Sequence, residues 1–114
     1  MTRLYKIMAR VDWERAESEG RMPWTHVDEH DGFIHLSSAT QVVETAQRHF
    51  TDEVYLVLLA VDPAALVDGT LRWEASRDDE DFPHVYGDVP LEAVVEVHAL
   101  VGAEAGQFSF PALL

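Results

Sequence analysis

Apolar and polar positions alternate first at Leu4-Tyr5-Lys6-Ile7-Met8-Ala9, which reads as a strand. Tyr5, Ile7 and Ala9 point one way and Leu4, Lys6 and Met8 the other. Asp12 is placed to cap a short helix running to Glu19, with Val11 and Ala16 as a hydrophobic staple and Gly20 as its left-handed end. Residues 21–31 carry Pro23, Trp24, His26 and His30 without a clear period and read as a polar loop. Phe33 to Ser37 is a short strand. At Ser38 the period changes: Ser38-Ala39-Thr40-Gln41 has capping-box spacing, and Ala39, Val42, Val43, Ala46 and Phe50 share one face of the helix that follows.

The second half is richer in strands. Val54 to Val61 is apolar on both faces and predicts a central strand covered on each side. Asp62-Pro63 stops it, one helical turn follows, and Asp68-Gly69 makes a bend. Leu71 to Ser76 resumes as a strand, residues 77–81 form a charged loop, and Phe82 to Gly87 is extended. Ala93 to Val101 is the last long strand, with Ala93, Val95, Val97, Ala99 and Val101 on one face and Glu96 and His98 on the other. The tail from Gly102 stays unassigned. The expected class is α+β, a single domain over residues 1–114 with two helices in the N-terminal half and a mainly antiparallel sheet.

Composition narrows the function. The chain is 47% hydrophobic and 25% charged, as a globular domain is, and it has no cysteine, which excludes disulfides, thiolate metal sites and cysteine nucleophiles. The N-terminus lacks a signal-peptide pattern and no apolar run is long enough to span a bilayer, so a cytoplasmic location is expected. Eight Lys and Arg against 21 Asp and Glu leave a net charge of −13, which opposes nucleic acid and anionic membranes as partners. The charge is uneven, however. Arg3, Lys6, Arg10, Arg15 and Arg21 all precede position 22, so a small anionic ligand could find a local positive site near the first strand.

Three segments carry candidate chemistry. In Asp31-Gly32-Phe33-Ile34-His35-Leu36-Ser37, Phe33, His35 and Ser37 share a face, and the strand opens into a helix N-terminus that favours an anion or a carbonyl oxygen. The bland alternative is a hydrogen-bonded histidine beside a cap. In Phe82-Pro83-His84-Val85-Tyr86-Gly87, Phe82, His84 and Tyr86 face one side and suit a planar ligand; the alternative is a structural turn with buried aromatics. In Leu71-Arg72-Trp73-Glu74-Ala75-Ser76, Arg72 and Glu74 alternate with Trp73, or form a surface pair. His26 and His30 imitate metal-ligand spacing, but that spacing converges on a helix and this segment reads as a loop, so no metal is expected. Ser37 beside His35 lacks a nucleophile-elbow pattern, and His49 and His98 look like ordinary surface or strand histidines.

Tyr5-Lys6-Ile7, Trp13, the run from Asp31 to Ser37, Leu56-Val57-Leu58-Leu59, Leu71-Arg72-Trp73-Glu74 and the run from Phe82 to Gly87 occur in that order. Together they resemble the bacterial domain-of-unknown-function family 952, over about Leu4 to Leu100. That family is similar in fold to the ADP-ribosyltransferase superfamily, near its RNA 2′-phosphotransferases. The resemblance implies a split sheet with a cleft for NAD or an ADP-ribose-like group. In the superfamily a first-strand His holds a ribose hydroxyl, a Tyr or His before the helix stacks on nicotinamide, and a later residue, often Glu, assists at the ribose. Carried over, the first position falls on Lys6 and the second on His35, while the third stays open among Glu74, His84 and Tyr86. Lys6 departs from the superfamily's His: it can donate to a hydroxyl or phosphate but fixes no ring geometry.

Two functions follow as expectations. One is an ADP-ribosyl-type transferase, with His35, His84 and Glu74 as catalytic candidates and Lys6, Arg10, Ser37, Trp73 and Tyr86 binding a nucleotide-like or small anionic molecule. The other is a non-catalytic module that binds a small molecule or a protein on the same fold. No cofactor other than NAD or an ADP-ribose-like ligand is suggested, and oligomeric state is not encoded in any pattern found.

Overall fold

The predicted first strand forms as β1 (Leu4–Ala9), and both its faces are packed, with Leu4 and Met8 in one apolar cluster and Tyr5 and Ile7 in another. A computed structural model describes residues 2–50, 52, 55–76, 79–104 and 107–113. Three helices follow or interleave with the early strands: α1 (Arg10–Glu19), α2 (His26–Asp31) and α3 (Val42–His49). The strands after β1 are β2 (Ile34–His35), β3 (Tyr55–Val61), β4 (Leu71–Ala75), β5 (Asp81–Val85), β6 (Val94–Glu104) and β7 (Gln107–Phe108). Short 3-10 turns at Pro63–Ala65 and Leu91–Ala93 link the later strands, the first capped by the Asp62 carboxylate on the Ala64 N–H.

The strands form two antiparallel sheets, ordered β1-β3-β6-β7 and β2-β5-β4. β3 is central, as its two-sided apolar pattern requires. Val57, Leu59 and Val61 meet Ile34, Leu36 and Val85 of the smaller sheet; Leu56, Leu58 and Ala60 lie under Val42 and Ala46 of α3 and under Phe108, Phe110 and Leu113. Among the described residues a single antiparallel bridge, Tyr5 with Ser37, joins the end strand β1 of one sheet to the end strand β2 of the other. Beyond that bridge the two sheets part. No helix among the described residues is long and apolar enough to cross a membrane.

Several local expectations change. Helix α1 starts at Arg10 with Ala9 at its N-cap and no side-chain cap, so Asp12 lies inside the first turn, where its charge still favours the helix dipole. Val11 is exposed and forms no staple; Gly20 does end the helix, at φ 80° with its N–H on the Ala16 carbonyl. Helix α3 begins at Val42 rather than at Ser38, yet the Gln41 side chain reaches back to the Ser38 N–H at 3.0 Å, as half of a capping box does.

Two differences are larger. The supposed loop of residues 21–31 contains α2, started by a complete capping box between Thr25 and Asp28 and ended by Gly32 at φ 85°. The apolar face of β6 is not core: Val95, Val97 and Val101 are 43%, 48% and 58% exposed, and it is Leu100 of the opposite face that is buried. Alternation shows which residues share a face, but coverage depends on the neighbouring layer. The smaller sheet covers β1 and β3, and on this side the core ends at Ala93 and Val94. Val54, Arg77 and Asp78 of the predicted segments lie outside the described residues.

Candidate functional site

A cleft of ≈ 600 Å³ opens where the two sheets part, along the free edge of β1. Residues from β1, α2, β2, α3 and the β4–β5 end of the smaller sheet line it. This size suits a small molecule. The edge itself has hydrogen-bonding capacity. Residues two apart on a strand turn their N–H and C=O to the same edge. Tyr5 uses both on Ser37, at 2.7 and 2.8 Å, so Ile7 turns its pair into the cleft.

The cleft's polar end holds two histidines brought together by strand register. His35 on β2 lies directly opposite His84 on β5, and their rings meet edge to face with centroids 5.5 Å apart. Phe33 packs on both, stacked on His84 at 4.1 Å and tilted on His35 at 4.6 Å. Both histidines line the cleft.

Their partners differ. His35 Nδ1 lies 2.7 Å from Asp28 Oδ1 and its Nε2 lies 2.9 Å from Asp31 Oδ2, two bonds that form together when both ring nitrogens carry protons. Asp28 is buried at the centre of a larger cluster. It accepts both contacts of the Lys6 ammonium, at 3.1 and 3.0 Å, and the backbone N–H groups of Thr25 and His35. Burial alone pushes the Asp28 carboxyl up, but the His35 hydrogen bond, the Lys6 charge and those backbone donors together hold it well below the usual carboxylate range. Burial pushes the Lys6 ammonium down, and Asp28 partly offsets this.

Lys6 is held inside the protein by this cluster. Its third proton goes to the His35 carbonyl at 2.9 Å, so all three donors are engaged inside the protein. Arg10 is outside the cleft, exposed and 3.6 Å from Glu14. Neither supplies an unneutralised cation for an anionic ligand.

His84 is held from one side. Its Nδ1 lies 2.8 Å from Glu74 Oε1, the same oxygen that accepts from the Tyr86 hydroxyl at 2.7 Å. The Tyr86 and His84 hydrogen bonds lower the Glu74 carboxyl from its ordinary value, and Glu74 in turn raises the Tyr86 phenol. In a neutral ring, a carboxylate on Nδ1 favours the tautomer with the proton there, which leaves a lone pair on Nε2. That atom is buried and has no hydrogen-bond partner among the described residues, although His84 as a whole is 4% exposed. The two nitrogens of an imidazole point in widely different directions, so Nε2 is turned away from Glu74.

Of the remaining candidates, Ser37 lines the cleft and is buried, with its hydroxyl 3.3 Å from that of Thr45. Glu74 and Tyr86 stand behind His84 rather than in the cleft lining, and Arg72 lies over the Tyr86 ring at 5.0 Å. Trp73 pairs with Pro83 on the other face of β4 and does not line the cleft. Asp28, Asp31 and the edge of Ile7 are the parts sequence reading did not pick out. The signal for Asp28 was present, since Thr25-x-x-Asp28 is a capping box, but no apolar period follows it. His26 and His30 lie on helix α2 and not on the expected loop, so their spacing does bring them to one face; among the described residues no group of three or more His, Asp or Glu is arranged to hold a metal.

Fold and cleft together define a small α+β protein with two antiparallel sheets and a histidine pair where they separate. Residues 7–97 match the family described as a protein of unknown function, DUF952, and the chain belongs to that family. It is also similar to solved structures of protein CC0527 from Caulobacter crescentus. The crystal structure is 40% identical with a TM-score of 0.87, over 95% of this chain and 94% of that one. The solution NMR structure is 40% identical with a TM-score of 0.79, over 94% and 93%. No curated protein matches the chain.

Proposed function

We propose that the chain binds a small molecule in the cleft between its sheets, and that His84 Nε2 makes the deciding hydrogen bond as an acceptor. The buried, unpartnered Nε2 carries this reading. A buried polar atom left without a partner costs about 1–3 kcal/mol, so a side chain kept in that state fits a position completed by a ligand. The free edge of β1 extends the reading. Ile7 offers one N–H and one C=O side by side, a match for a carboxamide or a heteroaromatic ring with adjacent donor and acceptor.

A nucleotide-like ligand with a planar, amide-bearing head is the member of this class that the superfamily resemblance adds. Its phosphates find little support, because Lys6 is neutralised by Asp28 and Arg10 lies outside. The geometry therefore favours recognition of the uncharged head over recognition of phosphate. It also favours binding ahead of ADP-ribosyl transfer, which stays a separate question answered by nicotinamide release from NAD.

Titration of nicotinamide, adenosine, AMP, ADP-ribose and NAD, followed by amide NMR, tests the proposal. The expected result is a joint response of Ile7, the Phe33–Ser37 segment and Phe82–Val85, strongest for ligands with a planar amide and abolished by His84→Phe. Silence of all three segments at millimolar concentrations of every ligand would remove the small-molecule reading for these compounds and leave the protein-binding alternative.

A further inference from the structure

We infer that β6 is the seam of a homodimer, in which two copies pair antiparallel about Val97. The proposal is independent of the cleft. On one edge β6 pairs with β3; on the other, β7 pairs only with Gly102 and Glu104 among the described residues, so Val94 to Val101 presents an edge with no strand beside it. Edge strands of this length are normally blunted by Lys, Pro or a covering element. This one carries no Lys and no Pro from Val94 to Val101, and its valine face is exposed.

The occupant is argued from charge and register. For both copies to keep their valines on one side of a continuous sheet, the pairing must centre on a single residue. Centred on Glu96, it sets two carboxylates opposite each other; centred on His98, it sets Glu96 against Leu100. Centred on Val97, it sets Glu96 opposite His98 of the second copy, twice by symmetry, with Val95 opposite Ala99; the regular stretch ends there, at the irregularity in the β3 pairing beside Val94. A carboxylate directly across from an imidazole can accept its N–H, whereas two carboxylates directly across a strand pair repel. Within one chain Glu96 already draws its neighbours, at 2.7 Å from Arg3 and 3.6 Å from His98. The Val97-centred register extends that polar row into the partner. It also uses residues 95–99, which lie inside the uncovered window.

The same symmetry explains the valines. A two-fold axis perpendicular to the sheet leaves both smaller sheets on the same side, flanking a floor only two strands wide, about 5 Å between strands. Val95, Val97, Ala99 and Val101 of both copies then lie between two walls rather than on an open surface.

Sedimentation equilibrium of the full chain, together with Val97→Cys and Val95→Cys, tests the seam, because the chain has no cysteine of its own. The dimer is expected to strengthen with salt, since two chains of −13 repel each other. Under mild oxidation Val97→Cys should give covalent dimer and Val95→Cys should not, because the register sets Val95 against Ala99. Val97→Glu should weaken association at least about tenfold while leaving the fold intact, as like charges meet across the axis. A monomer at every concentration and salt overturns the proposal and leaves the edge to a strand of another protein. Equal cross-linking of both cysteine variants overturns the register and with it the charge argument.

Discussion

The two halves of the histidine pair are built from the same ingredients and end in opposite states. His35 has a carboxylate at each nitrogen, and one of them, Asp28, is itself matched by Lys6 and by backbone donors. His84 has one carboxylate, Glu74, and one nitrogen without a partner. The first cluster ties α2 to β1 and β2 and closes on itself. The second orients a ring and stops. The saturated histidine is therefore the one that holds the cleft's wall, and the half-satisfied one is the one that the proposed ligand would complete.

If that division is right, the largest effect belongs to the closed cluster. Lys6→Met should destabilise the fold by about 3–5 kcal/mol in urea unfolding, because it leaves the buried Asp28 carboxylate short of its cation. Lys6→Met with Asp28→Leu should recover a large part of that loss. A Lys6→Met chain as stable as the parent would mean that the pair contributes nothing to the wall.

Acid should separate the same cluster next. In the folded protein Asp28 binds its proton less readily than at the ordinary value of 3.8, so the unfolded chain takes up more protons in that window and stability rises with pH across it. The contribution is present above about pH 4 and is lost as pH falls toward the folded value. Unfolding free energies measured from pH 5 to pH 2 should drop steeply for the parent and less steeply for Asp28→Asn. Parallel curves would show that His35 and Lys6 do not hold the carboxylate as described.

The open cluster should respond in function more than in stability. His84→Phe removes the unpartnered nitrogen together with the Nδ1 bond to Glu74 and keeps the ring that Phe33 stacks on, so stability should change by no more than about 2 kcal/mol while the NMR response to ligand is lost. A drop comparable to that of Lys6→Met would move His84 to the structural side of the comparison. The smallest effect is at Tyr86. Its phenol is held above the ordinary 10.0 by Glu74, so Glu74→Gln should bring its ultraviolet titration back down toward that value. An unmoved titration would separate Tyr86 from the dyad.

Much of this arrangement was visible in the chain before its fold. Period-2 alternation placed β1, β4 and β6, the two-sided apolar run placed β3 at the centre, and the 3.6 period with Gln41 placed α3 against it. These signals are local: they depend on which neighbours share a face, and a strand or helix imposes that over a few residues. The pairing of Phe33 with His35 and of His84 with Tyr86 along their strands was legible for the same reason.

Helix α2 was hidden because it is six residues long and is held by caps and ion pairs rather than by an apolar stripe. The chemical state of the site was hidden for a different reason. Lys6 meets Asp28 across 22 positions of chain, and His35 meets His84 through the register of two strands, so which donor is engaged and which nitrogen stays open depends on non-local contacts. The valine face of β6 is a further case: the sequence determined that those side chains stand together, and only the extent of the facing sheet decided that they stand uncovered. Periodicity sets what a segment can present; packing between distant segments sets what it keeps.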